Sequence, residues 1–340
     1  RTVPSKQTPR VLIIIGTLLA VVAGHALPMQ ARINGELGIR VQDPLVAALI
    51  SSLVSLTVML LITLGTTAGR RALGALLRQT RTGEIRWWNH LAGILGAAFI
   101  VVMSATSPIV GVAIYTVVVV FGQTLSGLMV DRFGLGPGSR RRITVPRALG
   151  VVLAVIGVLV AVTPRLSGLG EPGKLVIPLL FVFLAGVAMS LQHGFNGKVA
   201  AQVNSPFPGT LMNYVIGVFV LLLVFAGKLV LGAELPPIPQ EPWLYLAGVL
   251  GCANLIISAI LARRIGILLT GLGMIAGQLI GSLLLDTFAP IAGSQVYGQT
   301  IVGIGIVLAA MLIATTIARN PKPVSAPTVA EAIVARVDPG

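Results

Sequence analysis

Cysteine occurs once in the 340 residues, at Cys252 inside an apolar run, so the chain can build no intrachain disulfide, no redox pair and no thiolate metal site. Histidine occurs three times and never in a ligand cluster, which leaves no metal centre to propose. Nucleophile and base do not stand at workable spacing, and an intramembrane enzyme falls with them. Charge is scarce too: 10% of residues are charged and 55% hydrophobic, with a mean hydropathy of +0.96. Soluble domains carry about 25% charged residues, so this composition excludes one and points to an integral membrane protein. The net charge of +14 would suggest nucleic acid in a soluble protein. Here Lys and Arg collect in short segments between apolar runs, as orientation signals do, and no nucleic-acid partner is expected.

What the chain has in abundance is long apolar runs. Spanning a bilayer takes about 20 mostly apolar residues, and ten runs meet or approach this, at 11–35, 44–66, 87–108, 109–131, 146–163, 174–198, 207–230, 242–262, 266–288 and 296–317. The tightest connection lies between the third and fourth, where Ser104 to Gly111, with Pro108 inside, forms the turn. With the N-terminus inside, 19 of the 24 Lys and Arg fall in inner segments, and five (Arg32, Arg40, Arg165, Lys174, Lys228) in outer ones. By the positive-inside rule both termini are cytoplasmic. Trp87, Trp88, Trp243 and Tyr245, at run starts, read as interface anchors. Segment 69–86 alternates Arg with Leu and Ala and reads as a short basic amphipathic piece on the inner surface.

The chain is also a duplication. AGHALPMQARING at 23–35 returns as AGVAMSLQHGFNG at 185–197, an offset of 162, and FGQTLSGLMVDRF at 121–133 returns as AGQLIGSLLLDTF at 276–288, an offset of 155. The difference makes the loop around 69–86 seven residues longer than its counterpart near 227–241. The apolar run after Arg10 has the look of a secretory leader, but its repeat lies mid-chain and cannot be a cleaved leader, so the first run is expected to stay as a helix. The expected fold is an all-α integral membrane protein of ten transmembrane helices in two five-helix repeats: tail 1–10, first repeat 11–163, second repeat 174–317, flexible tail 318–340. Because each repeat has an odd number of spans, the second enters the membrane from the opposite side. Inverted repeats of this kind place binding sites near the midplane where the halves meet.

With these residues in view, the chain resembles the YdcZ-like branch of the drug/metabolite transporter superfamily. Gln30, Asn34 and Gly35 followed by Pro44, and Gln192, Asn196 and Gly197 followed by Pro206, match its Gln-x-x-x-Asn-Gly signature in the first helix of each half, and the Gly-Gln...Asp block recurs in helices four and nine. The resemblance implies a ten-helix carrier of small organic metabolites or drugs in the bacterial inner membrane, working as an exporter without a cofactor. Some members of the branch hold a single repeat and pair up, so a homodimer stays open.

The duplicated polar residues are the candidate site. Gln30 with Asn34, and Gln192 with Asn196, are four apart and share a helix face; Gln123 and Gln278 lie mid-helix in the second repeated block. A side-chain amide donates and accepts at once, which suits a neutral or zwitterionic solute that must be released again. The same amides could serve only as glue between helices, in a non-transporting scaffold or assembly factor. Asp131 and Asp286 close their helices, His25 lies mid-helix, and Arg32 and Glu36 are spaced to pair near an outer end; these five are candidates for proton coupling or gating. Asn213 and Asn254 are further interior amides without matched partners, and His193 points about 100° away from Gln192. Pro28 removes the hydrogen bond to the Gly24 carbonyl and kinks the first helix. Gly168 to Lys174, GLGEPGK, imitates a phosphate-binding loop, but Leu175 stands where a hydroxyl should bind magnesium and no strand precedes it. Transport must then run on a gradient, of the solute or of protons.

Overall fold

The computed structural model describes residues 10–135, 145–168, 173–265, 267–289 and 296–316, and among them every regular element is helical. In chain order the helices are α1 (Arg10–Gly24), α2 (Ala26–Arg40), α3 (Pro44–Gly65), α4 (Thr67–Arg81), α5 (Ala92–Val110), α6 (Val112–Phe133), α7 (Val145–Gly168), α8 (Gly173–Gln202), α9 (Phe207–Val230), α10 (Leu246–Ile265), α11 (Ile267–Phe288) and α12 (Gly298–Thr316). Short 3₁₀ turns, Trp87–Leu91 and Pro242–Tyr245, lead into α5 and α10. All ten expected apolar runs lie on these helices. Among the described residues, seven stretches are long and apolar enough to cross a membrane, and three shorter apolar ones cover the other runs. Large apolar side chains such as Leu18, Leu61, Phe219 and Leu223 point outward, as lipid-facing residues do.

Local chemistry sets the boundaries. Pro28 cannot donate to the Gly24 carbonyl, and the rod of α1 and α2 breaks at His25, whose amide bonds back only three residues, to Val22 O at 3.2 Å. Asp43 caps α3 by accepting from Leu45 N at 2.9 Å, ahead of Pro44 at the first helical position. Thr66 caps α4 through Gly69 N at 3.1 Å. The α5–α6 turn is shorter than the sequence suggests. Helix α5 runs through Pro108 to Val110, and Gly111 alone turns the chain, at φ 81°, where a side chain would be strained. Segment 67–81 is a helix that turns Gly69, Ala72 and Leu76 inward and Arg70, Arg71, Arg78 and Arg81 outward. The matching connection, after Val230, is only eleven residues long and contains no helix.

The halves interlock with contacts that recur when partners are exchanged. Gly24 of α1 meets Gly277 of α11, and Gly186 of α8 meets Gly122 of α6; at each crossing a Cβ would overlap facing backbone. Gly93 of α5 sits on the backbone of Asn213 in α9, and Gly248 of α10 sits on that of Ser51 in α3. These pairs are the offsets 162 and 155 made spatial. In lipid, where apolar burial does not drive helices together, small residues that admit close backbone approach supply the packing. Helices α7 and α12 stand back to back, Gly157 against Gly303.

One pair of matched contacts is broken. Helix α2 packs along α5: Ser107 Oγ donates to Ala31 O at 2.8 Å, and Gly38 lies against Ser104, whose Cβ is 3.6 Å from where a Cβ on Gly38 would stand. The repeat-related pair, α8 with α10, does not pack in this way among the described residues. At the end of the bundle near Arg40 two ion pairs join the halves, Arg40 with Glu241 and Lys228 with Asp43. At the opposite end, near Arg86, the corresponding position carries a neutral contact among the described residues, Gln202 Nε2 to Glu84 O at 3.3 Å.

Candidate functional site: a cavity between the repeats

A cavity of about 60 Å³ lies where the halves cross, walled by one face from each of several helices. Helix α8 contributes Met189, Gln192 and His193; α9 contributes Thr210, Asn213, Tyr214 and Gly217; α5 contributes Gly93, Gly96, Ala97 and Ile100; α10 contributes Gly251, Asn254 and Leu255. Each set follows the spacing of three and four that puts side chains on one helical face. Leu27 and Gln30 of α2, Ser52 of α3 and Phe99 of α5 complete the wall. Helix α2 begins just past the His25 break, so the break aims Leu27 and Gln30.

Two glutamines organise the cavity. The Gln192 amide lies over Gly96, where a Cβ would overlap it, and the Gln30 amide lies over Gly251, where a Cβ would stand 2.9 Å from Nε2. Gln30 and Gln192 correspond at 162, Gly251 and Gly96 at 155, so each repeat's glutamine rests on the other repeat's glycine. The remaining lining is unequal. The second half supplies His193, Thr210, Asn213, Tyr214 and Asn254, where the first half has Ala31, Ala48, Ser51, Ser52 and Phe99 at the corresponding positions. Asn213 Nδ2 donates to Asn196 Oδ1 at 2.6 Å, and Asn254, 7% exposed, has an Oδ1 with no hydrogen-bond partner. Among the described lining residues none is Asp, Glu, Lys or Arg.

The other expected site residues sit around this core. Asn196 adjoins the wall through Asn213. Gln123 Nε2 contacts the sulfur of Met189 at 2.8 Å, one layer behind the lining. Asn34 is fully buried between α2 and α5 and donates to Met103 Sδ at 3.5 Å. Gln278 is buried in α11 beside the Gly24 crossing. His25 Nδ1 bonds Val21 O at 2.9 Å, and its ring rests on Gly281. Asp286 reaches across to cap α6, accepting from Val112 N at 3.2 Å and Ala113 N at 2.7 Å. The Asp131 side chain and residues 169–172 of the phosphate-loop look-alike lie outside the described residues. Glu36 accepts from Arg40 Nε at 3.0 Å, and Arg32 is half-buried one turn before it. Among the described residues no cluster of His, Cys, Asp and Glu could hold a metal.

The profile of the family described as "Putative inner membrane exporter, YdcZ" matches residues 15–160 and again 177–313, once in each half. The chain belongs to this family. It is therefore a membrane protein of a family described by export. A comparison with curated proteins finds no match. In this YdcZ-family chain the Gln of each Gln-x-x-x-Asn-Gly signature lines the cavity, whereas the Asn four residues later does not: Asn196 bonds the lining residue Asn213, and Asn34 bonds Met103. Duplication could not have found His193 or Thr210, whose counterparts are Ala31 and Ala48, and Tyr214 answers only to the small hydroxyl of Ser52. The signal available was the run Thr210, Asn213, Tyr214, Gly217, a polar stripe along one face of an otherwise apolar helix.

Proposed function

We propose that this chain is a secondary transporter that carries small organic solutes across the inner membrane by alternating access, in the exporting direction its family description gives. Its ten helices would form two inverted five-helix repeats. The exchanged contacts support this: with five spans per repeat, a two-fold relation between halves turns one upside down. By the positive-inside rule the Arg86 end, with both termini, would lie on the cytoplasmic side. In this state the cavity would be sealed from outside by α2 against α5 and by the Arg40–Glu241 and Lys228–Asp43 pairs. It would open inward between α8 and α10, where His193 and Lys198 are exposed. The observation that carries the reading is the packing of α2 on α5 without its repeat-related α8–α10 counterpart among the described residues, beside a polar cavity at the crossing of the repeats. The reverse state would form α8–α10 contacts like those of α2 with α5 and break the latter. Asp286 and His25 already have protein partners here, so a coupling proton would have to compete with a helix cap or an intrahelical bond.

The test is two-sided access in the full chain. Met189→Cys in a Cys252→Ala background should react with an uncharged, membrane-impermeant thiol reagent from both faces of oriented vesicles, and breaking the Arg40–Glu241 tie should raise the outer rate and lower the inner one. A non-transporting assembly factor gives no reaction from one of the faces, and a continuous pore shows steady single-channel current; either result rejects the carrier. In proteoliposomes, with and without a pH gradient, Gln30→Ala and Gln192→Ala should each abolish solute flux while the protein still inserts and folds. Full flux in both variants removes the glutamines from the site.

A further inference from the structure

We infer that the cavity takes an uncharged solute carrying an N–H or O–H donor at one end and a compact apolar side at the other, with Asn254 Oδ1 as the acceptor that selects the donor. This rests on the carrier reading and narrows it to a substrate class. Three observations carry it. The lining has no acidic side chain and no Lys or Arg among the described residues, so an ion entering it would shed its water and meet no opposite charge. Asn254 is over nine-tenths buried, lines the cavity and keeps an amide oxygen without a partner. A buried acceptor left unmade is costly in a folded protein, and a donor brought by a solute would satisfy it. Lastly, six of the eight polar lining residues come from α8, α9 and α10, Gln30 and Ser52 being the other two, while Leu27, Phe99 and Ile100 present a hydrocarbon wall from the first half. A solute with two unlike sides fits that division, and its amide or hydroxyl would lie toward Asn254 with its apolar side toward Phe99. His193 and Tyr214 are the titratable groups of the lining.

The experiment uses the purified full chain with Met189→Cys and Cys252→Ala, and reads thiol modification by three methanethiosulfonates of one chemistry: neutral methyl, cationic trimethylammonium-ethyl and anionic sulfonatoethyl. Rates are normalised to those at Ala233→Cys, an exposed position. The neutral reagent should react at Met189→Cys, with both charged reagents at least tenfold slower. Benzamide, added at the same concentration as benzoate or benzamidine, should protect best, and in Asn254→Leu the neutral rate should be the same with and without benzamide. The inference is overturned if a charged reagent matches the neutral one, if all three fail, if benzoate or benzamidine protects as well as benzamide, if none protects, or if Asn254→Leu protects like the parent. None of these readings needs turnover. A charged preference would therefore sink the solute class and leave the carrier standing, whereas closed access from one face would sink the carrier.

Discussion

At the scale of single residues, the glycines under the two glutamines make the sharpest demand. Gly96→Ala puts a methyl group into the Gln192 amide, and Gly251→Ala does the same less severely to Gln30. Overpacking of this kind costs about 1–3 kcal/mol, so both variants should melt earlier in detergent, Gly96→Ala the more. Gly271→Ala and Gly305→Ala, whose added methyl groups meet nothing within 4 Å, should not lose stability. Asp286 offers a second test. Its carboxylate serves two backbone amides at the start of α6, so Asp286→Ala should cost on the order of 1–3 kcal/mol by stranding buried donors, seen as a lower melting temperature. Asp286→Asn, which keeps an acceptor, should cost less. Equal losses would show that the negative charge, beyond hydrogen-bond acceptance, is what the site requires. Gln30 and Gln192 were legible in the sequence because duplication marked them. Asn254 was visible as an interior amide, yet nothing in the sequence could say that its oxygen would lack a partner, since that depends on what α2, α5 and α9 bring beside it.

At the scale of elements, the ten apolar runs all fall on helices, seven of them on stretches long and apolar enough to cross a membrane among the described residues, and the ends that run length missed are those that backbone chemistry decides. Pro28 signalled a kink, but the break falls at His25, where the missing hydrogen bond leaves the preceding carbonyl free. Pro108 looked like part of a turn, yet it sits inside α5, and Gly111 alone makes the reversal. Which of the two related helix pairs is closed was not legible at all, because α2 and α8 carry nearly the same signature while only α2 is clamped to its partner among the described residues. That clamp can be tested directly. Cβ positions 3.6 Å apart at Gly38 and Ser104 fall within the 3.5–4.5 Å that disulfides span. Gly38→Cys with Ser104→Cys, in the Cys252→Ala background, should therefore crosslink under mild oxidation, stop solute flux, and recover it on reduction. Failure to crosslink would place α2 away from α5 in the resting protein.

For the whole molecule, the two ends are tied by different chemistry. Arg40–Glu241 and Lys228–Asp43 are surface ion pairs, each worth no more than about 1 kcal/mol and weakened by salt. Their removal should leave overall stability nearly unchanged and, if the proposed alternating-access cycle holds, shift the balance between its inward-open and outward-open forms. In Arg40→Gln combined with Lys228→Gln, outer-face labelling of Met189→Cys should rise several-fold, and raising salt should move the parent protein in the same direction. No shift would mean that the α2–α5 contact holds that end by itself. The other end carries an asymmetry of its own, because α4 exists only there and packs on α3 and α9. Its four outward arginines would rest among anionic headgroups, so rearrangement near this helix would have to drag bound phospholipid with it. Turnover should then slow as the phosphatidylglycerol content of the vesicles rises, making the leaflet itself a brake on the cycle.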